Sequence, residues 1–330
     1  MPPPFTVISG AQVREVLRGR EEQVTGVVEA AYRLHGAGGT VNPDSYFLRF
    51  PDRPSSRIIA LPASLGGVHG LKWISSFPEN VAGGLPRASA VLILNDAETG
   101  YPFACMEASV VSAARTAASA ALAAVRLSTA RGVRPTRVGF VGAGLIARYV
   151  HTYLLANGFA FDEAGVHDLS PEHAGGFASY LRGSGPVTVH DKAEDLIRSS
   201  DLVVFATTAG EPHVHDPAWL DHNPLVLHVS LRDLSPEIVL ASCNVADDVE
   251  HCMKANTSLH LTEQRTGNRS FVAGDMRALL AGEIDVPADR PVVFSPFGLG
   301  VLDLAVGMHV HEHARGLVVD GFFVELKRHG

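Results

Sequence analysis

A short glycine-rich run, GAGLIA, follows a β-branched segment and precedes a helical pattern. Its residues are Gly142, Ala143, Gly144, Leu145, Ile146 and Ala147. In this G-x-G-x-x-A spacing the first glycine permits a tight turn, the second lets the backbone approach a pyrophosphate, and the small last residue lets the helix pack closely on the strand. The start of the helix offers free N–H groups and the positive end of its dipole to phosphate. The run therefore predicts a dinucleotide site.

A carboxylate, Asp168, ends the next predicted strand, 26 residues after Gly142. A carboxylate there accepts hydrogen bonds from the ribose hydroxyls and repels a 2′-phosphate. No arginine follows directly, because the next residues are Leu-Ser-Pro, and the pattern favours NAD over NADP. A glycine turn without a nucleotide, with Asp168 as a solvated strand end, remains the alternative.

Polar residues after later strands extend this candidate site. Thr207 and Thr208 follow the fourth predicted strand and are candidates for the adenosine side of the cofactor, or plain loop hydroxyls. Asp233, in SLRDLSPE, comes just past the strand predicted at Leu225–Val229. It can hold a substrate ammonium group and act as a general base, or it is a turn residue that caps a helix. Asp303, in GLGVLDLAVG, is a candidate beside the nicotinamide, or a cap of the last helix.

Three cations stand among apolar or small residues in the first part of the chain. Arg49 lies in SYFLRF, Lys72 in GLKWISSFP and Arg115 in the alanine-rich run SAARTAASAALAA. A buried guanidinium group is costly unless a carboxylate or phosphate pairs with it. For any one of these cations, the common explanation is a structural salt bridge, or a side chain whose aliphatic part is buried while its charged end reaches water. Taken together beside a nicotinamide site, they predict a clamp for a substrate carboxylate.

The sequence pattern that predicts helices and strands changes along the chain. Over residues 1–130 it predicts one helix at Ser9–Gly36, several short strands, and one long helix that begins in the run ACMEASVV. Residues 131–305 alternate short β-branched strands with helices, which predicts a doubly wound parallel sheet of the Rossmann type. Residues 306–330 predict the end of a helix and a tail that pack back on the first domain. The predicted fold class is therefore α/β, with a Rossmann-type domain and an α+β domain.

Composition excludes several classes of protein. Lys and Arg number 27 against 35 Asp and Glu, a net charge of −8, which argues against nucleic-acid binding. The three cysteines form no C-x-x-C pair, and the histidines of HVHEHA point apart on a helix, so we expect neither a disulfide framework nor a metal site. We also expect no signal peptide, no membrane-spanning run and a cytoplasmic location.

Four segments together resemble the ornithine cyclodeaminase/mu-crystallin family: GLKWISSFPEN, LNDAETGYPFACMEASVVSAARTAASA, GFVGAGLIA and SLRDLSPE. The resemblance implies a homodimer that joins the sheets of its first domains, which would be substrate-binding and dimerisation domains, and a Rossmann domain that binds NAD. It implies that Lys72 and Arg115 bind the substrate α-carboxylate, that Asp233 is the catalytic acid/base, and that Arg49 is a further substrate-binding residue. Lys72 is in this way both a substrate-binding and a catalytic candidate.

Within the family, NPDSYFLRFPDRPSSRIIALPA and FSPFGLGVLDLAVG look similar to the SbnB-type branch, which is associated with 2,3-diaminopropionate biosynthesis. The implied reaction is NAD-dependent oxidation of the amino-acid substrate N-(2-amino-2-carboxyethyl)-L-glutamate. A substrate with three carboxylates needs further cations, for which the candidates are Arg53, Arg57, Arg87 and Arg232. The alternatives are an ornithine or lysine cyclodeaminase, an imine reductase, and a non-catalytic binding protein that resembles mu-crystallin.

Overall fold

The computed structural model describes residues 4–323, which divide into two compact units. Unit 1 is Met1–Arg115 with Leu299–Gly330, and unit 2 is Thr116–Gly298. The sequence predicted boundaries at 130 and 305, whereas the structure divides after 115 and 298. The first boundary differs because one long helix, Ser109–Arg131, continues past residue 115. The sequence pattern changes only where this helix ends, near residue 130. Residues 324–330 of the predicted tail lie outside the described residues.

The helices of residues 4–323 are, in chain order, α1 (Gly10–Leu17), α2 (Glu21–Gly36), α3 (Ser109–Arg131), α4 (Leu145–Ala156), α5 (Pro171–Leu181), α6 (Ala193–Ser199), α7 (Pro236–Ala241), α8 (Val249–Cys252), α9 (Ser258–Thr266), α10 (Met276–Ala281) and α11 (Gly300–His313). The strands of the same residues are β1 (Phe5–Ile8), β2 (Thr40–Val41), β3 (Tyr46–Phe50), β4 (Arg53–Leu65), β5 (Val68–Ser76), β6 (Ala88–Asp96), β7 (Pro102–Glu107), β8 (Arg137–Val141), β9 (Glu163–His167), β10 (Val187–Val189), β11 (Leu202–Phe205), β12 (Leu225–His228), β13 (Cys243–Ala246), β14 (Val272–Asp275), β15 (Val292–Ser295) and β16 (Leu317–Val319).

Unit 1 is built on a mainly antiparallel sheet in the order β16-β1-β7-β6-β5-β4-β2, with β3 paired to β4. Helix α11 packs on one face of this sheet, against β4, β5 and β6. Successive side chains of a strand point to opposite faces, so Lys72 and Leu92 are buried on the covered face. Their neighbours Trp73 and Val91 stand opposite each other on the other face and are exposed.

Unit 2 is a parallel sheet in the order β10-β9-β8-β11-β12-β15-β13-β14. Its central strands β11 and β12 are fully buried, and β8 is buried except at Arg137, because helices cover both faces, as parallel sheets require. After β8 the chain runs outward through β9 and β10, then returns to the other side of β8 at β11. Ligands of such sheets bind outside the carboxyl ends of the strands at this point of reversal. The α/β class predicted from the sequence is confirmed.

Two helices were predicted wrongly. The region Ser9–Gly36 forms α1 and α2 instead of one helix, because Gly19 adopts a left-handed φ of 72° between them. The alanine-rich helix begins at Ser109, five residues after Ala104, because the preceding residues pair with β1 and β6 as β7. The Glu107 carboxylate then accepts the first helical N–H groups, from Ser109 and Val110.

Helix α3 is long and apolar enough to cross a membrane by length and composition alone, which the sequence pattern had not predicted. Its apolar window is 72% buried inside the protein. Burial of this extent is typical of a core helix, whose alanines pack against other elements. The helix therefore gives only weak grounds for a membrane span.

Candidate functional site

The glycine-rich turn has the geometry that its sequence predicts. Gly142 follows β8 with a φ of 97°, and a Cβ at this position would lie 2.6 Å from the carbonyl oxygen of Ala206. No other residue fits without moving the backbone. A Cβ on Gly144, in contrast, would meet no heavy atom of the described chain within 4 Å. The space that a pyrophosphate needs beside the turn is therefore open.

Helix α4 begins directly after this turn. Gly144 is its N-cap and provides no side chain to accept the first N–H groups. The first turn carries no acidic residue, and the side chain of Leu145 is exposed while that of Ile146 is partly buried. Ala147 is fully buried, as close packing of helix on strand requires. These features fit an anionic group at the start of α4.

Asp168 lies next to the glycine turn, directly after β9. One carboxylate oxygen accepts the backbone N–H of Ala143 at 2.8 Å, and the other accepts that of Ser170 at 2.8 Å. Each oxygen keeps one more acceptor position. Asp168 thus fixes the turn and retains the capacity to bind ribose hydroxyls.

The two threonines follow β11, which pairs with β8 on the side opposite to β9 and Asp168. Their assignment to the adenosine side of the cofactor stays a prediction. The hydroxyl of Thr207 donates to Asp233 and accepts the backbone N–H of Ala209 at 3.1 Å. Thr208 is exposed, and its assignment to the cofactor stays a prediction.

Asp233 is completely buried at the carboxyl edge of the unit 2 sheet. Four side chains surround its carboxylate: Oδ1 contacts the hydroxyl of Thr207 and Nε2 of His213 (3.0 Å), while Oδ2 contacts Nε2 of His228 (3.1 Å) and the hydroxyl of Ser230 (2.5 Å). Burial acts to raise the pKa of Asp233, but these hydrogen bonds and the His228 charge bring the pKa well below its usual value. The group is a stabilised carboxylate anion.

The two histidines around Asp233 were missed in the sequence. His228 is buried between Asp233 and Ser295, whose hydroxyl lies 3.2 Å from Nδ1. His213 is held at its backbone as well, because its N–H donates to the carbonyl of Asp233 at 3.0 Å. The available signal was the position of His228 at the end of β12 and of His213 in the segment that follows β11, but scattered histidines gave no reason to choose these two.

Two of the three cations predicted from the sequence, Lys72 and Arg115, form ion pairs with the carboxylate of Asp303. Nζ of Lys72 lies 2.6 Å from Asp303, and Nε of Arg115 lies 3.1 Å from its other oxygen. Lys72 and Asp303 are fully buried, and Arg115 is 11% exposed. Asp303 belongs to the first turn of α11. The sequence had assigned Asp303 to the cofactor, an assignment that no contact tests, whereas the structure pairs it with both cations.

The pKa of Lys72 is lowered to about 8. Burial is the largest cause, and the charge of Arg115 acts in the same direction, while Asp303 opposes both. Lys72 also donates to the hydroxyl of Ser112 at 3.2 Å. Its ammonium group is therefore charged at neutral pH but lies close to its titration range, as a group that exchanges protons requires.

The other arginines named from the sequence do not join this cluster. Arg49 is exposed on β3 and its guanidinium group lies over the ring of Phe47. Arg57 stands opposite Arg49 on one side and Ser76 on the other, and Arg87 donates to the hydroxyl of Ser76 at 2.8 Å. Arg49, Arg57 and Ser76 thus form one row across the sheet of unit 1, and Arg87, directly before β6, reaches this arginine row through Ser76.

Two further arginines have other environments. Arg232 donates to the carbonyl of Ala255 in unit 2, and exposed Arg53 lies 3.7 Å from Asp52. Among residues 4–323, no group of three or more His, Cys, Asp or Glu is arranged to hold a metal ion.

A glycine turn at the reversal point of a parallel sheet defines a nucleotide-binding α/β protein of the Rossmann type. The model of the ornithine cyclodeaminase/mu-crystallin family matches residues 7–317. The chain belongs to this family, as its sequence motifs predicted.

Individual relatives agree with this membership. The nodulation efficiency protein NfeD of Rhizobium meliloti is 31% identical over 88% of this chain and 90% of its own length. The N-((2S)-2-amino-2-carboxyethyl)-L-glutamate dehydrogenase of Staphylococcus aureus is 27% identical over 79% of this chain and 80% of its own length. An archaeal alanine dehydrogenase dimer with bound NAD has a TM-score of 0.86 at 26% identity, covering 97% of this chain and 100% of its own.

The lowered pKa of Lys72 predicts a pH-dependent stability. Between about pH 8 and pH 10.5 the unfolded chain holds a proton on Lys72 that the folded chain has lost. The free energy of unfolding should therefore rise with pH across this window, by ~2–4 kcal/mol in total, and should lack this rise in Lys72→Met. Urea unfolding at several pH values, followed by Trp73 fluorescence in a Trp219→Phe background, measures the difference.

Lys192→Met serves as the control, because Lys192 is exposed and its loss should leave the pH slope unchanged. Equal slopes for the wild type and Lys72→Met would show that the folded-state pKa of Lys72 is ordinary.

Proposed function

We propose that the protein catalyses the NAD-dependent oxidation and hydrolysis of N-(2-amino-2-carboxyethyl)-L-glutamate, with 2,3-diaminopropionate, 2-oxoglutarate and NADH as products. The broader class is that of the NAD-dependent oxidoreductases of this family, which include the NAD-bound alanine dehydrogenase. The particular substrate is suggested by the Staphylococcus aureus relative at 27% identity. The observation that carries the proposal is the set of cations on the covered face of the unit 1 sheet.

Unit 2 carries the residues that would hold NAD. The turn at Gly142 and Gly144 with the start of α4 fits the pyrophosphate, and Asp168 fits the ribose of the adenosine half. A 2′-phosphate would meet the negative charge of Asp168, which favours NAD over NADP. When bound, the oxidised nicotinamide supplies the acceptor for the hydride that leaves the substrate carbon.

Unit 1 carries residues suited to a substrate carboxylate. Lys72 and Arg115 bring two positive charges and Asp303 brings one negative charge, so the buried cluster keeps one positive charge to offer. Asp303 holds both cations in fixed positions before a substrate arrives. Such preorganisation reduces the ordering that binding would otherwise require.

The arginine row suits the additional carboxylates of this substrate. Arg49 and Arg57 stand directly opposite each other on β3 and β4. Both stand on the face that also carries Lys72, as does Ser76, the hydrogen-bond acceptor of Arg87. Ornithine, with one carboxylate, makes no use of such a row.

The proton transfers of the reaction fall to the residues around Asp233. Loss of a proton from the secondary amine frees the electron pair that expels the hydride, and the resulting imine must then add water. Hydrolysis of the imine separates the 2-oxo acid from the primary amine. The buried carboxylate and its two histidines provide a negatively charged setting that stabilises positive charge during these steps.

The reaction is tested by incubating the purified protein with the glutamate adduct and NAD. We expect one NADH, one 2-oxoglutarate and one 2,3-diaminopropionate per adduct consumed, measured by absorbance and mass spectrometry. Ammonia from ornithine or lysine without net NADH would identify a cyclodeaminase instead. Oxidation of NADH with a cyclic imine would identify an imine reductase, and nucleotide-dependent ligand binding without turnover a binding protein.

The arginine row predicts a specific loss on substitution of Arg87. Arg87→Met should raise the KM for the three-carboxylate substrate by about 10- to 100-fold, because a charge-assisted contact of about 1.5–3 kcal/mol is removed. The kcat value and the affinity for NAD should change little. Steady-state kinetics and NAD titration measure these quantities, with Arg18→Met as the control at an exposed arginine that has no proposed role. An unchanged KM would remove Arg87 from the substrate site.

We further propose a place in 2,3-diaminopropionate supply for a siderophore or peptide natural product, and a cytoplasmic location. The substrate's chemistry and the relative at 27% identity support the first. Three free cysteines in the described chain support a reducing compartment.

We also propose a homodimer through the open face of the unit 1 sheet. Trp73 and Val91 are each 41% exposed there, and Leu71, Ile93 and Cys105 continue the same face. A contiguous apolar sheet face is typical of an interface. The alanine dehydrogenase relative is itself a dimer.

The double substitution Trp73→Asp and Val91→Asp should yield a monomer, because two buried carboxylates would face each other across the interface. Light scattering coupled to size-exclusion chromatography measures the mass. Leu240→Asp, at an exposed leucine of unit 2, should leave the dimer intact. A wild-type monomer, or a dimer that survives the double substitution, would place the interface elsewhere or exclude it.

A further inference from the structure

The carboxylate of Asp233 is enclosed by side chains of the protein itself: Thr207, His213, His228 and Ser230 surround it. Nε2 of His228 also lies 3.1 Å from the backbone nitrogen of Asp233. The residue is also completely buried. A base must reach the proton that it removes, within hydrogen-bond distance or through one water molecule. Asp233 in this arrangement cannot meet that condition directly.

His213 is the partner of Asp233 that reaches solvent. Its side chain is 39% exposed, while Nε2 lies 3.0 Å from Oδ1 of the buried carboxylate. An anionic carboxylate only accepts hydrogen bonds, so Nε2 is the donor, and in a neutral imidazole Nδ1 is then the nitrogen with the free lone pair. The backbone N–H of His213 and that of Val214 both donate to the carbonyl of Asp233. Backbone and ring are therefore fixed to the same residue.

The pair lies beside the nucleotide turn on the same sheet edge. Ala206 packs against Gly142, the next residue Thr207 donates to Asp233, and Asp233 holds His213. These residues follow β11 and β12, on the side of β8 opposite to Asp168. Since Asp168 suits the adenosine half, the other half of a dinucleotide that crosses the reversal point extends toward this pair.

We propose that His213 is the group that exchanges protons with substrate and water, and that Asp233 is the positioning residue that orients it. This inference rests on the proposed function and assigns the proton transfers within it. As the water oxygen bonds to the imine carbon, Nδ1 of His213 takes a proton from that water and the C=N electron pair moves to nitrogen. The imidazolium returns the proton to this nitrogen, the C–N bond breaks, and neutral His213 takes the hydroxyl proton as the carbonyl forms. The last proton passes to solvent.

Asp233 stabilises the imidazolium in each of these steps without being protonated itself, as a buried aspartate does for a catalytic histidine. Two titratable groups near His213 are Asp233, in direct contact, and His228, on the other carboxylate oxygen.

The first test compares three variants on the adduct and NAD. His213→Ala should lower kcat by about 10²- to 10⁴-fold, with NAD affinity unchanged. Added imidazole should raise the kcat of this variant at least about tenfold. A series of substituted imidazoles should restore activity in the order of their pKa values. His215→Ala is the matched control, at an exposed histidine two residues along the same segment. It should remain fully active.

Asp233→Asn should also lose activity, but without rescue by imidazole, because His213 remains in place and occupies the site. A histidine with a merely structural role would give no dependence on the pKa of the added base. Retention of activity within about threefold in His213→Ala, with an inactive Asp233→Asn, would overturn the proposal and make Asp233 the direct base.

The second test needs no substrate, so it separates this inference from the proposed function. Nitrogen-15 NMR of the free protein should show His213 as the Nε2–H tautomer in the wild type and a mixture of tautomers in Asp233→Asn. The Nδ1–H tautomer in the wild type would overturn the proposal even if the adduct is turned over. Conversely, an inactive wild type with the expected tautomer would reject only the proposed substrate.

Discussion

A carboxylate buried between two cations is the interaction on which unit 1 depends. Asp303 is fully enclosed, and removing such a charge from water costs several kcal/mol unless partners compensate for it. Lys72 on β5 and Arg115 on α3 are those partners. Asp303 lies 188 residues beyond Arg115 in the chain. The sheet of unit 1 therefore acquires its covered face, and its cations acquire fixed positions, only when α11 returns to it.

The same constraint operates at Asp233, with a different result. There the partners are two hydroxyls and two histidines instead of fixed cations, and the negative charge is held by hydrogen bonds. One of the histidines is partly exposed, so the stabilised charge inside is connected to a group that water reaches. A buried anion in unit 1 thus holds two cations in place, while the one in unit 2 holds a histidine whose side chain is 39% exposed.

Placement on the sheet edges explains why these residues act together within each unit. In unit 2, Gly142, Thr207 and Asp233 follow three neighbouring strands, β8, β11 and β12, and parallel strands end at one edge. In unit 1, strand alternation places Lys72 on the covered face and Trp73 on the open face. One face is thereby covered by α11, and the other presents exposed apolar side chains.

Local patterns determined a large part of this protein. The turn at Gly142, the strand ends at Asp168 and Asp233, and the presence of buried cations at Lys72 and Arg115 follow from residue type and short spacing, because turns, strand alternation and charge burial act over a few residues. Family membership followed from the same segments. Short buried strands such as β15 were not found, since four apolar residues in PVVFS have no periodicity that separates strand from loop.

The tertiary structure decided which residues become partners. Neither the pairing of Asp303 with Lys72 and Arg115 nor that of Asp233 with His213 and His228 can be read from spacing. The order of strands in each sheet and the return of α11 determine these contacts, and both are set by burial of the whole core. The chain by itself specified which chemical groups are present and on which local element each one stands; only the packed fold determined which charges share an environment, because desolvation acts on groups that are distant in sequence and adjacent in space.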